Sequence, residues 1–248
     1  MKSMLFKHRS IRKFRPALIP EEVLKEVLEA ATRASTCGNM QLYSLVVTRD
    51  AALRRALSPC HFNQPMVTEA PCVVTVCADV HRFTMWCEQR DAEPAYDNFA
   101  WFLNAATDAL LAAQNLCVEA EMHGLGICYL GTTLYTARQI VEVLELPAGV
   151  IPLTTIVMGY PAEEPALTDR LPLNAVVHYE KYTDYTAPEI DELWAEREES
   201  ELTKALLREN QLPNLAQVFT QNRYRKEDNL AISKSYFELL KQQGFFKD

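Results

Sequence analysis

From Tyr96-Asp97-Asn98 to about Met122 the chain is rich in alanine and leucine and holds few helix breakers. Ala105, Ala106, Ala109, Ala112 and Ala113 leave room for another backbone to come close. Apolar residues extend beyond one helical face, so this stretch predicts the longest helix of the chain, buried in a core or at a subunit contact. Such a helix constrains everything around it, because other elements must be laid against most of its surface. Gly124-Leu125-Gly126 ends it. That pair of glycines lacks the third one of a dinucleotide-binding fingerprint, which argues against a doubly wound nucleotide fold.

Strands and shorter helices supply the cover. Tyr43–Thr48, Cys72–Ala78, Ile127–Leu130 and Leu153–Gly159 read as strands, and the nearly unbroken β-branched run in the second predicts burial on both faces. Pro20-Glu21-Glu22 opens a helix with Val23, Leu24, Val27, Leu28 and Ala31 on one face; its acidic first turn suits the helix dipole. Asp50–Leu57 reads as a short capped helix, Cys60–Gln64 as a polar loop and Ala137–Leu146 as another helix. Helices alternating with strands indicate an α/β or α+β layer fold. At 248 residues and 48% hydrophobic composition, one large domain or a domain with an extension is expected. Composition shifts after Tyr185, where Glu189–Glu209 and Asn229–Gln243 read as helical. The expected organisation is a core over residues 1–185 and a helical C-terminal extension over 186–248, packed on the core or on a second subunit.

Charge and cysteine usage exclude several functions. A formal net charge of −8 argues against a nucleic-acid partner, whose binding needs Lys and Arg. The seven cysteines lack zinc spacing and are expected to be reduced thiols, most of them small hydrophobes in the core. No stretch has the apolar length of a membrane span or of a signal-peptide core, so a cytoplasmic location is expected. Neither a metal-ligand cluster nor a Ser-His-Asp order is present, and the histidines His8, His61, His81, His123 and His178 are scattered.

Chemistry concentrates in His8-Arg9-Ser10-Ile11-Arg12-Lys13-Phe14. Arg forks and a hydroxyl in an extended segment converge well on an anion, with Ile11 and Phe14 as anchors. On composition alone a solvated basic segment is an equal alternative. The order of these residues, followed by Gly124-Leu125-Gly126, Tyr129-Leu130-Gly131, Gly159-Tyr160-Pro161-Ala162 and Arg170-Leu171-Pro172, resembles the FMN-dependent nitroreductase superfamily. It is most similar to the branch of NADPH-dependent, oxygen-insensitive nitroreductases and flavin reductases. The resemblance runs from about His8 to about Tyr182.

The resemblance implies an α+β nitroreductase-like fold, with a central mixed sheet flanked by helices, and a homodimer with FMN at its interface. It implies that hydride passes from NADPH or NADH to flavin N5, the nicotinamide leaves, and a nitroaromatic, quinone or flavin acceptor takes its place in a ping-pong sequence. No side chain is assigned as catalytic, since the flavin carries the chemistry. By resemblance, His8, Arg9, Ser10 and Arg12 form the first strip of the flavin site, with Arg12 tuning the ring. Thr36, Cys37 and Gly38 match a loop, usually serine-rich, that reaches the partner subunit's flavin. Gln64 matches a glutamine beside the pyrimidine, while Tyr129, Leu130 and Gly131 match the backbone along the ring. Arg170 matches the phosphate end, where Thr168 replaces an expected lysine. Arg223, Arg225, Lys226 and Lys234 are candidates for a nicotinamide 2′-phosphate, or solvated surface. Two rival readings are a flavin-binding or flavin-delivering protein without turnover, and a reductase dedicated to an enone-type metabolite.

Overall fold

The computed structural model describes residues 3–246, so the first two residues of the cationic start lie outside the described part. The chain forms two compact units, residues 1–166 with 234–248, and residues 167–233. The first contains α1 (Glu21–Ala31), β1 (Tyr43–Thr48), α2 (Ala51–Leu57), the single turn α3 (Met66–Glu69), β2 (Cys72–Asp79) and α4 (His81–Glu88). Next come α5 (Phe99–Met122), β3 (Gly126–Leu130), α6 (Ala137–Val143) and β4 (Val150–Gly159). The second holds α7 (Ala187–Glu199), α8 (Glu201–Asn210), α9 (Leu215–Gln217) and a π-helical stretch over Val218–Arg223. The last helix, α10 (Lys226–Gln242), runs from the second unit into the first.

The strands form one sheet in the order β1-β2-β4-β3. All three pairings are antiparallel, which corrects the expectation of a mixed sheet; the parallel component is one bridge, Ser10 to Ile127. Every residue of β2 is buried, as its unbroken apolar run predicts. Side-chain alternation divides the core in two. Val74, Val76, Ile127, Ile156 and Met158 face a cluster with α1 and α5, while Val73, Cys128, Leu130 and Val157 face a cluster with α2, α3 and α6. The sheet is thus a layer between helices.

The expected long helix is α5, whose Ala105, Ala109, Ala112, Ala113, Leu116 and Ala120 are buried. Asn98 caps it by accepting from Trp101 N. Leu103, Leu110 and Leu111 remain exposed, so its apolar girth does exceed the core-facing side. Helix α4 was not expected from the sequence; its first turn is held by Asp79, which accepts from Arg82 N at 3.2 Å. The expected continuous helix over Glu189–Glu209 is broken at Ser200, whose hydroxyl accepts from Thr203 N and starts α8 anew. At the end of the chain Leu239, Leu240 and Phe245 are buried with Leu42, Ala78 and Ile151, as their apolar character requires.

Candidate functional site

The strip His8–Phe14 is fixed by two apolar anchors three residues apart. Ile11 and Phe14 enter the cluster of Cys128 and Leu130, while Arg12 and Lys13 stay exposed. Its backbone docks on the edge of β3, Ile11 N donating to Ile127 O at 2.9 Å. On its other side Arg15 N donates to Tyr160 O and Ala162 N to Lys13 O, each at 2.9 Å. A glycine permits this approach: a Cβ on Gly126 would stand 2.5 Å from Ile11 Cγ1 and 2.7 Å from Ile11 Cβ.

Three carboxylates hold the strip. Glu163 Oε1 accepts from Arg12 N at 2.8 Å and from Lys13 N at 3.1 Å. Arg9 Nη1 donates to Glu164 Oε1 at 2.8 Å, and His8 Nδ1 lies 2.6 Å from Glu121 Oε1 on α5. The sequence signal for these partners is slight, a pair of acids, Glu163-Glu164, in the turn after β4. Arg9 Nε is buried without a hydrogen-bond partner. Cys128 lies beneath the strip, its thiol pushed up by burial and pulled back by the Arg12 charge and a Ser10 hydrogen bond. Ser10 is bridged to Ile127 at the β3 edge.

The loop that carries Gln64, itself half-buried, is flanked by residues of the same core cluster. Its neighbours Cys60, Met66 and Val67 share that cluster with Ile11, Phe14 and Leu130. The residues before it form a 3-10 turn, Pro59–His61, instead of an open polar loop. His61 is fully buried, with Nδ1 2.9 Å from Thr132 Oγ1. Thr136 Oγ1 donates to Cys60 O, and the Phe62 ring stacks on Tyr135 with centroids 6.0 Å apart. The Gln64 loop is therefore tied to the turn that begins at Gly131. Gly131 is exposed, with nothing within 4 Å of where a Cβ would stand, so the end of β3 opens onto free space.

Leu130 is buried in the strip's cluster, but Tyr129 points the other way. Its phenol meets Cys117 of α5, and burial drives its pKa far up, so that side chain belongs to the core and only its backbone faces the strip's edge. Thr36, Cys37 and Gly38 form a turn anchored to α5, Cys37 N donating to Asp108 Oδ1 at 2.9 Å. Helix α5 covers the opposite face of the sheet from Ile11 and Leu130.

Arg170 and Thr168 belong to the second unit. Arg170 Nη1 donates to Thr168 Oγ1 and Asp169 O, both at 2.8 Å. Arg225 is engaged by Asp228, Nε to Oδ2 at 2.7 Å and Nη2 to Oδ1 at 3.0 Å. An open cleft of about 510 Å³ in the first unit reaches Arg9 but none of the other predicted residues. Its walls carry Lys7, Arg9 and Arg15 together with Glu121, Glu163 and Glu164.

The strip brings exposed Arg12 and Lys13 and the Ser10 hydroxyl to the β3 edge, groups that suit an anionic, hydrogen-bonding ligand. Among the described residues no His/Cys/Asp/Glu group is placed to hold a metal, and no helix is long and apolar enough to cross a membrane.

Comparison with known proteins agrees with this geometry. Residues 5–160 match the model of the Nitroreductase family. The FMN reductase (NADPH) of Bacillus subtilis strain 168 is 35% identical over 180 residues, 72% of each chain. Among solved structures, a Bacteroides fragilis NCTC 9343 protein has a TM-score of 0.97 and 50% identity, covering 98% of this chain and 99% of that one. The NfrA1 nitroreductase from B. subtilis has a TM-score of 0.85 and 27% identity, covering 97% of each chain. The chain belongs to the nitroreductase family.

Proposed function

We propose that this protein is an FMN-dependent NAD(P)H oxidoreductase, acting as a homodimer on nitroaromatic, quinone or flavin acceptors by a ping-pong sequence. The observation that carries the reading is the meeting, on one core cluster, of the His8–Phe14 strip, the Gln64 loop and the open end of β3. The name of the B. subtilis relative supports FMN with NADPH as donor. When bound, FMN supplies a ring that accepts hydride at N5 and passes it on from the same face. The chain's part is to hold that ring. Arg12, exposed at the strand edge, is the group for negative charge on the pyrimidine side. Gln64 would add an amide by resemblance, Gly131 leaves room for the ring, and Arg9 Nε is a donor still without an acceptor. Within the second unit Arg170 is engaged by Thr168 and Asp169, and Thr168 has only a hydroxyl where the resemblance implies a second cation.

The visible spectrum of the protein, loaded with FMN and desalted, tests this. Retained flavin that NADPH bleaches and an acceptor re-oxidises is the expected result. Arg12→Ala is expected to weaken FMN binding by roughly 10- to 100-fold, the worth of a charged hydrogen bond. A colourless wild-type protein, or an Arg12→Ala variant with full flavin and turnover, overturns the reading.

A dimer is supported by the exposed Leu103, Leu110 and Leu111 of α5, leucines that water-facing helices rarely cluster. The α5-anchored Thr36–Gly38 turn, across the sheet from the strip, is then available to the partner subunit's flavin. Leu110→Lys is expected to halve the mass measured by light scattering; an unchanged dimer removes α5 from the interface. Free thiols throughout, six of the seven buried, support a reducing, cytoplasmic setting.

A further inference from the structure

The loop between α1 and β1 is held in a conformation that its sequence does not favour. Gly38, Asn39 and Gln41 have φ of 56°, 56° and 54°, and only the first is a glycine. Left-handed backbone at non-glycine residues persists where surrounding contacts over-determine it. Here two of those contacts come from one buried side chain. Asp108, 2% exposed among the alanines of α5, accepts from Cys37 N at 2.9 Å through Oδ1. Its Oδ2 accepts from Leu42 N at 3.2 Å. One carboxylate thus closes the loop at both ends. From outside, Arg82 donates to Gln41 O and, at 3.3 Å, to Tyr43 O.

A carboxylate buried in an apolar helix is costly unless its oxygens are satisfied. A core alanine at this position would avoid that cost, so the acid has a task beyond packing. We infer that Asp108 is a positioning residue, which holds the 37–42 loop in its strained, binding-ready form so that the loop is ordered before cofactor arrives. The inference rests on the reading that Thr36, Cys37 and Gly38 contribute to the flavin site. Pre-ordering removes the entropy of fixing the loop from the cost of binding.

The loop carries its own reporter, because Cys37 is exposed and the other six cysteines are buried. Asp108→Asn keeps the shape but replaces one acceptor oxygen with a donor, so one of the two amides loses its partner. The rate of Cys37 modification by a thiol-specific disulfide reagent, measured without FMN, is expected to rise roughly tenfold in Asp108→Asn, and the FMN Kd by about the same factor. Hydrogen exchange of the Cys37 and Leu42 amides should accelerate in the variant while the β2 amides keep their protection. In the wild type, FMN should slow Cys37 modification. Should Asp108→Asn not fold, Arg82→Ala tests the same clamp from outside, with the same signs. Unchanged Cys37 reactivity and amide exchange in a folded variant overturn the positioning role. A loosened loop with unchanged FMN affinity instead overturns the loop's membership of the flavin site, and the functional part of the inference with it.

Discussion

Gly126→Ala is expected to push the His8–Phe14 strip off β3, cost about 1–3 kcal/mol of stability and release most of the bound FMN. The clash is with Ile11 Cγ1 at 2.5 Å and, more tellingly, with Ile11 Cβ at 2.7 Å. A rotamer change can move the first atom; only a backbone shift can move the second. That shift would strain the Ile11 N to Ile127 O bond and the Ser10 bridge, and carry Ser10 and Arg12 off the strand edge. A denaturant midpoint measures the stability loss, and FMN fluorescence on titration measures the release. Ile11→Ala in the same chain removes the γ-carbon contacts but keeps the Cβ one, and should recover only a small part of the flavin affinity while losing core packing. Wild-type affinity in Gly126→Ala would show that the strip does not need its close seat on the strand.

How far the molecule could be read in advance follows from the range of each interaction. Strand β1 and helix α5 were legible because period and composition are local, and Asp50 caps α2 by accepting from Leu53 N at 2.7 Å within the same turn. The strip was legible for the same reason, since its cations and anchors are contiguous. Its partners were not: Glu121 and Glu164 meet His8 and Arg9 across 113 and 155 residues of chain. Asp108 was hidden because an acid in an alanine-rich helix reads as a solvent-facing residue. The two-sided placement, strip and Gln64 on one sheet face and Thr36–Gly38 anchored to the helix on the other, depends on strand order. Strand order is set by long-range pairing that no local pattern encodes.

His61 should make the protein lose stability as pH falls from about 6.5 to about 4, by up to about 3 kcal/mol. Burial alone pushes its pKa down from 6.5 to about 4. The unfolded chain therefore takes up a proton across that window while the folded chain does not. Above the window both states are neutral and the imidazole has no pH effect; below it both are charged and the loss is complete. The physical cost is specific, because Nε2 is buried with no partner, while Nδ1 is committed to Thr132. His61→Asn keeps a group able to bond Thr132 but cannot titrate. Urea midpoints of the two proteins across the window should converge at the acid end, the variant's curve lacking the part of the slope that belongs to this histidine. Carboxylates common to both proteins cancel in that difference. Parallel curves would mean that His61 is hydrated or paired in solution. Because His61 joins the Gln64 loop to the Gly131 turn, acid that charges it should also weaken FMN binding in the wild type more than in His61→Asn.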